Sequence, residues 1–233
     1  MRYLLLLVLV TACSHRAIQS VMTLGSTAKP HAISFLSLGD SYTIGESVPE
    51  NDRWSVQLAG LLRDGNLDVA DPDIIAKTGW TTGQLRTAIA QSGNKKTYNL
   101  VSLLIGVNNQ YRGRSLARYR TDFRKLLQTA VAFADGKPGR VMVLSIPDWG
   151  QSPFAKKKDK EPAKIGSEID AFNAIAQDEC KKASVAFVNI TPLTRSAVGD
   201  PSQFADDGLH YSSKQMKRWA EAALPVAKDL LAK

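Results

Sequence analysis

Five short apolar runs, each parted from the next by a segment spaced like an amphipathic helix, set the strongest limit on how this chain folds. The runs occupy 33–38, 73–76, 100–105, 141–146 and 185–190. Residues 100–105 are almost continuously apolar, the pattern of a strand covered on both faces. Between the runs the period changes from that of a strand to that of a helix. Asp52 stands as an N-cap before Trp54, Leu58, Leu61 and Leu62, and Asp64-Gly65-Asn66 closes that helix. Further helices are expected over about 82–91, along Leu116, Tyr119, Phe123, Leu126, Leu127 and Ala130, over 165–182, and over 214–231 with a bend at Pro225. Such alternation predicts an α/β fold, a three-layer α/β/α sandwich around a five-stranded, mainly parallel sheet. Chemistry in such sheets gathers beyond the carboxyl ends of the strands.

A chain of 233 residues that is 44% hydrophobic has material for one substantial core, so a single domain is expected over 33–233. The preceding residues read differently. Arg2, the apolar run 4–10 and the sequence Val10-Thr11-Ala12-Cys13 make a segment too short to span a bilayer as a stable helix, and the pattern is that of a secretory signal. Its end resembles the lipobox of bacterial lipoproteins. That resemblance implies a signal peptide over 1–12, lipidation of Cys13, and an exported protein held on the bacterial envelope, at the outer membrane in a Gram-negative cell. Residues 13–32 then serve as a tether. With Cys13 acylated only Cys180 remains, so no internal disulfide is expected. Cys180 keeps helical register with Ile165, Ile169, Phe172 and Ala176, which makes it a core thiol.

The net charge is +8, yet the basic residues are scattered apart from Lys156-Lys157-Lys158 with Lys160, and no nucleic-acid motif accompanies them. The balance favours solubility or attraction to anionic surfaces such as lipid headgroups and acidic polymers, and nucleic acid is not an expected partner.

The residues that end the runs carry the chemistry. Gly39-Asp40-Ser41 follows the first run, Lys77-Thr78-Gly79-Trp80 the second and Gly106-Val107-Asn108-Asn109 the third, while Asp206-Asp207-Gly208-Leu209-His210 precedes the last helix. A serine hydroxyl is a weak nucleophile until a base takes its proton. The chain has three histidines, of which His15 falls in the tether and His31 precedes the first strand, leaving His210 as the base. An imidazole in that role needs a carboxylate to fix its tautomer, and Asp206 and Asp207 both stand near.

These four blocks, in this order, resemble those of the SGNH hydrolases of the GDSL esterase/lipase superfamily, from about residue 33 to the C-terminus. The chain departs from the family pattern at Tyr42-Thr43, where the first block names a leucine, and in the extra acid Asp206. The resemblance implies a flavodoxin-like fold, a catalytic triad of Ser41, Asp207 and His210, and an oxyanion hole built from the Ser41 and Gly79 N–H groups and the Asn108 amide. Asp40 and Asn109 take supporting roles.

No cofactor is expected. The sequence lacks a His-Glu-x-x-His helix, clustered cysteines and a Gly-x-Gly-x-x-Gly run, so neither a zinc site nor a dinucleotide site is indicated. Trp80, Tyr111, Arg112 and Trp149 lie in or just after strand-end loops and are candidates for the pocket wall, with Asp148-Trp149-Gly150 shaping one side. The expected activity is a serine esterase acting on a small-molecule or polysaccharide ester, removing short acyl groups such as O-acetyl from envelope or dietary carbohydrates. A lysophospholipase or thioesterase, and a non-catalytic glycan-binding lipoprotein, are the alternatives.

Overall fold

A computed structural model describes residues 32–232. The signal segment 1–12, the lipidation residue Cys13, His15, His31 and all but the last residue of the tether lie outside the described residues. The strands are β1 (Phe35–Gly39), β2 (Asp73–Ala76), β3 (Leu100–Leu104), β4 (Val141–Leu144) and β5 (Ala186–Val188). The helices are α1 (Ser41–Ile44), α2 (Trp54–Asp64), α3 (Thr82–Ser92), α4 (Val107–Tyr111), α5 (Leu116–Phe133), α6 (Pro153–Lys157), α7 (Pro162–Lys182), α8 (Thr191–Arg195) and α9 (Ser213–Leu231).

The sheet order is β2-β1-β3-β4-β5, and every pairing is parallel. From β1 the chain steps outward to β2, then returns past β1 and proceeds in the other direction from β3. The crevice between β1 and β3 is therefore the point where the winding reverses, the place where open parallel sheets bind ligands. Register sets Gly39 opposite Leu104, so the loops that carry Ser41 and Asn108 leave the sheet at the same level.

Both central strands are buried along their whole length. Each carries one serine there, and the Ser102 hydroxyl donates to Ser37 Oγ at 2.9 Å, which satisfies two polar groups that burial would otherwise penalise. Helices α2 and α9 pack on each other, as do α5 and α7, forming the outer layers. Trp54, Leu58 and Leu62 of α2 meet the buried face of α9, which presents Met216, Trp219, Ala220 and Ala223. Cys180 is fully buried in α7, and burial pushes its thiol up to about 12, well outside the range of a reactive thiolate.

Some boundaries differ from the sequence reading for identifiable reasons. The N-cap of α2 is Arg53, which makes no side-chain cap bond; Asp52 instead accepts the Ser213 hydroxyl at 2.8 Å and ties α2 to the start of α9. Strand β4 ends at Leu144; the Ser145 N–H still donates to the Val188 carbonyl oxygen at 2.9 Å, while its hydroxyl oxygen turns to accept the N–H groups of Ile190 and Thr191 at 2.8 and 3.0 Å. Ile33 joins Val69 only through an isolated bridge, so β1 starts at Phe35. Helix α9 runs through Pro225. Helices α1, α4, α6 and α8 have four or five residues each, too short for the helical period to register in the sequence.

Candidate active site

The turn from β1 into α1 brings the backbone close to its neighbours. A Cβ on Gly39 would stand 2.1 Å from Thr43 Oγ1 and 2.4 Å from the Leu104 carbonyl oxygen, so only glycine lets α1 fold back against β3. Asp40 caps the turn, its Oδ1 accepting the Tyr42 N–H at 3.1 Å. Ser41 is thereby held in the first helical turn, where N–H groups lack intrahelical acceptors. Asp40 is wholly buried, and that burial raises its pKa to about 7 against the opposing pull of the N–H groups of Tyr42, Gly106 and Asp40 itself and of the Asn108 amide. Its Oδ2 has no partner at normal hydrogen-bond geometry.

The other strand ends converge on Ser41. Gly79 follows β2 with φ +83°, a left-handed conformation suited to glycine, and its carbonyl oxygen accepts the Arg112 guanidinium at 2.7 Å. Asn108 is the second residue of α4; its amide donates to the Trp80 carbonyl oxygen at 3.1 Å, which orients the group, and the same amide pulls on the Asp40 carboxyl. Asn109 turns away from the pocket and clamps α3, accepting the Thr82 N–H at 3.0 Å and donating to the Thr82 hydroxyl at 2.8 Å.

His210 stands before α9 with Nδ1 2.6 Å from Asp207 Oδ2. Asp207 Oδ1 accepts the N–H groups of Leu209 and His210 at 2.8 and 2.9 Å, and Oδ2 also takes the Ser47 hydroxyl at 2.8 Å. Burial acts to raise the Asp207 pKa, but the hydrogen bonds from the His210 ring, these two N–H groups and Ser47 outweigh it and hold the carboxyl at about 2. Asp206 is exposed, and among the described residues the carboxylate bonded to His210 is that of Asp207. The two-residue gap between Asp207 and His210 lets one carboxylate cap its own turn and face the ring as well.

These groups meet at a pocket of about 200 Å³ that Ser41, Gly79, Asn108 and His210 share. A model of the GDSL-like lipase/acylhydrolase family matches residues 37–218. The chain belongs to the GDSL-like lipase/acylhydrolase family. It is accordingly a hydrolase of carboxylic esters.

Solved structures carry the same fold as this GDSL-like hydrolase. TesA superposes with a TM-score of 0.67 at 20% identity, over 85% of this chain and 99% of its own. A psychrotrophic esterase, EstA from a Pseudoalteromonas species, gives 0.65 at 15% identity, over 86% and 99%. The acetylxylan esterase Axe2 from Geobacillus stearothermophilus gives 0.65 at 16% identity, over 84% and 94%. No curated protein sequence matches the chain.

The walls of the hydrolase pocket revise the sequence reading. Tyr111 and Trp149 line it as expected, whereas Trp80 and Arg112 do not; the Trp80 carbonyl oxygen accepts from the Asn108 amide and Arg112 donates to the Gly79 carbonyl oxygen. Phe154 and Leu209 complete the apolar wall. Leu209 lies inside the last block and was open to inference, but Phe154 reaches the pocket through α6, a helix too short to announce itself. Ser47 carried no sequence signal, since its partner lies 160 positions away. Trp149 is held by the buried Asp148, whose Oδ1 accepts the Gly150 N–H at 3.0 Å and whose Oδ2 accepts Arg195 Nε at 2.8 Å. The lysines of 156–158 and 160 are exposed beside this wall, with Lys158 Nζ 5.9 Å from the centre of the Phe154 ring. Among the described residues no group of three or more metal-ligating side chains comes together.

Proposed function

We propose that Ser41 is the nucleophile of a two-step ester hydrolysis in which His210 moves the proton and Asp207 holds the imidazole. The observation that carries this reading is the 2.6 Å bond between His210 Nδ1 and Asp207 Oδ2 at a pocket that also contains Ser41. With Nδ1–H donating to the carboxylate, Nε2 is the basic nitrogen left for the serine. Ser41 Oγ adds to the ester carbonyl carbon as its proton passes to Nε2. The oxyanion that forms is received by the N–H groups of Ser41 and Gly79 and by the Asn108 amide. Collapse breaks the ester bond, the alcohol departs with the proton from Nε2, and an acyl-serine remains. Water then gives a proton to Nε2 and adds to the acyl carbon; the carboxylic acid leaves and Ser41 regains its proton.

The substrate reading is a short acyl ester, with O-acetyl groups on carbohydrates as the favoured class. Its support is the small pocket walled by Tyr111, Trp149, Phe154 and Leu209, together with the likeness in fold to an acetylxylan esterase. Hydrolysis of p-nitrophenyl esters from acetyl to palmitoyl tests it. Turnover falling steeply beyond the shortest acyl groups, and abolished in Ser41→Ala, is the expected result; turnover that survives Ser41→Ala would remove the serine mechanism.

The segment ending Val10-Thr11-Ala12-Cys13 supports placing this enzyme on a bacterial envelope through a lipid on Cys13. Incorporation of labelled palmitate that disappears in Cys13→Ser is the corresponding check.

A further inference from the structure

Beside the reaction pocket lies a second, larger cleft of about 430 Å³, and the two share Tyr111 and Trp149. The rings of these residues meet edge to face with centroids 5.4 Å apart. Tyr111 is 56% exposed, a rare degree for a large hydrophobic side chain in this molecule, whereas Trp149 is 4% exposed. The shared wall is braced from behind. The buried Trp149 indole N–H donates to Gln110 Oε1 at 2.8 Å, and the Gln110 amide donates to Glu168 Oε2 at 2.6 Å.

The cleft differs from the pocket in chemistry. Lys160, Lys164, Glu161 and Glu168 line it, two cations with two anions, along with the exposed face of Tyr111. A long acyl chain laid there would strip water from four charged groups and return no hydrogen bonds. A polyanion would meet two carboxylates. A neutral sugar presents hydroxyls that both donate and accept, so it satisfies amines and carboxylates alike, and its C–H face packs on an aromatic ring.

We propose that this cleft is a subsite for the alcohol half of the substrate, a neutral saccharide stacked on Tyr111, while the acyl group enters the smaller pocket. The inference rests on the Ser41 pocket being the reaction centre and specifies what stands on the leaving-group side of it. Tyr111 and Trp149 then separate acyl group from sugar and present the ester bond to Ser41.

Two measurements test this. In Ser41→Ala, which removes turnover, calorimetric binding of xylotetraose, cellotetraose and chitotetraose is measured alongside tetragalacturonate and palmitate. Binding of at least one neutral tetrasaccharide, weakened tenfold or more by adding Tyr111→Ala and retained with Tyr111→Phe, is the expected result. Binding of none of them, or of tetragalacturonate or palmitate alone, overturns the proposal.

In the Ser41-containing enzyme, kcat/KM is compared for O-acetylated xylotetraose and p-nitrophenyl acetate, which share the acyl group. Tyr111→Ala and Lys164→Ala are expected to lower the ratio of sugar ester to aryl ester at least fivefold, mainly through KM, with urea midpoints confirming that the variants fold. An unchanged ratio overturns the subsite. Survival of aryl-ester hydrolysis in Ser41→Ala would sink the serine mechanism instead, a failure visible separately from loss of saccharide binding.

Discussion

Ser47 offers a test of how the acid of the proposed triad is held. Its hydroxyl donates to Asp207 Oδ2 at 2.8 Å, the same oxygen that faces His210 Nδ1, and its backbone has φ +64°. A hydrogen bond to a charged group contributes about 1.5 to 3 kcal/mol when shielded; Ser47 and Asp207 are both exposed, so water replaces part of it and about 1 kcal/mol is the reasonable scale. If that amount is lost from the transition state, in which His210 becomes a cation, kcat/KM falls by roughly fivefold. The left-handed backbone separates this from a packing effect. Ser47→Ala and Ser47→Gly both delete the hydroxyl, but only glycine relieves the φ strain, a difference of about 1 kcal/mol in stability. The two variants should therefore lose the same factor in activity on p-nitrophenyl acetate, while urea unfolding finds the glycine variant the more stable. Full activity in both variants, or activity that recovers in step with the stability of Ser47→Gly, would refute the reasoning.

Three further perturbations have defined outcomes. Asp207→Asn should lower kcat by about three to four orders of magnitude, because an amide no longer holds Nδ1 as the donor, whereas Asp206→Asn should change it less than about twofold; steady-state rates on one ester compare them directly. Asn108→Ala should cost about a hundredfold or more in kcat with little change in KM, since the amide acts on the oxyanion and not on the bound ester. Asp40 makes stability depend on pH in an unusual sense for an aspartate: an unfolded chain releases its proton near 3.8, the folded protein near 7, so the folded state holds the extra proton between those values. Stability from this group therefore declines as pH rises from about 4 to 7, by roughly 4 kcal/mol at most, and levels off above. Denaturation curves across that window should show the decline in the wild type and its absence in Asp40→Asn, relative to the change common to both.

The central strands and long helices were legible because their signals are local. A buried strand such as β3 announces itself as an unbroken apolar run, and α5 by its heavy apolar stripe. The strand-end blocks were legible for the same reason, with Gly39 and Gly79 marking backbone positions that a side chain would spoil. His210 followed from arithmetic on three histidines. The residues alone left Asp206 and Asp207 both open; the resemblance of the Asp-x-x-His block pointed to Asp207, and it is the Asp207 carboxylate that the folded turn sets against the ring. Trp80 and Arg112 illustrate the limit of a reading by residue type: they fit a pocket wall, yet they bond to Asn108 and Gly79 instead.

The amino-acid sequence by itself determined the α/β class, the level of the sheet at which chemistry gathers and the reactive residue types available there. Tertiary structure decided which of those residues meet. Strand periodicity and turn chemistry arise between neighbours along the chain, whereas the Ser47–Asp207 bond, the Phe154 wall and the Tyr111–Trp149 partition arise only when β1, β3 and α9 bring distant loops to one edge of the sheet.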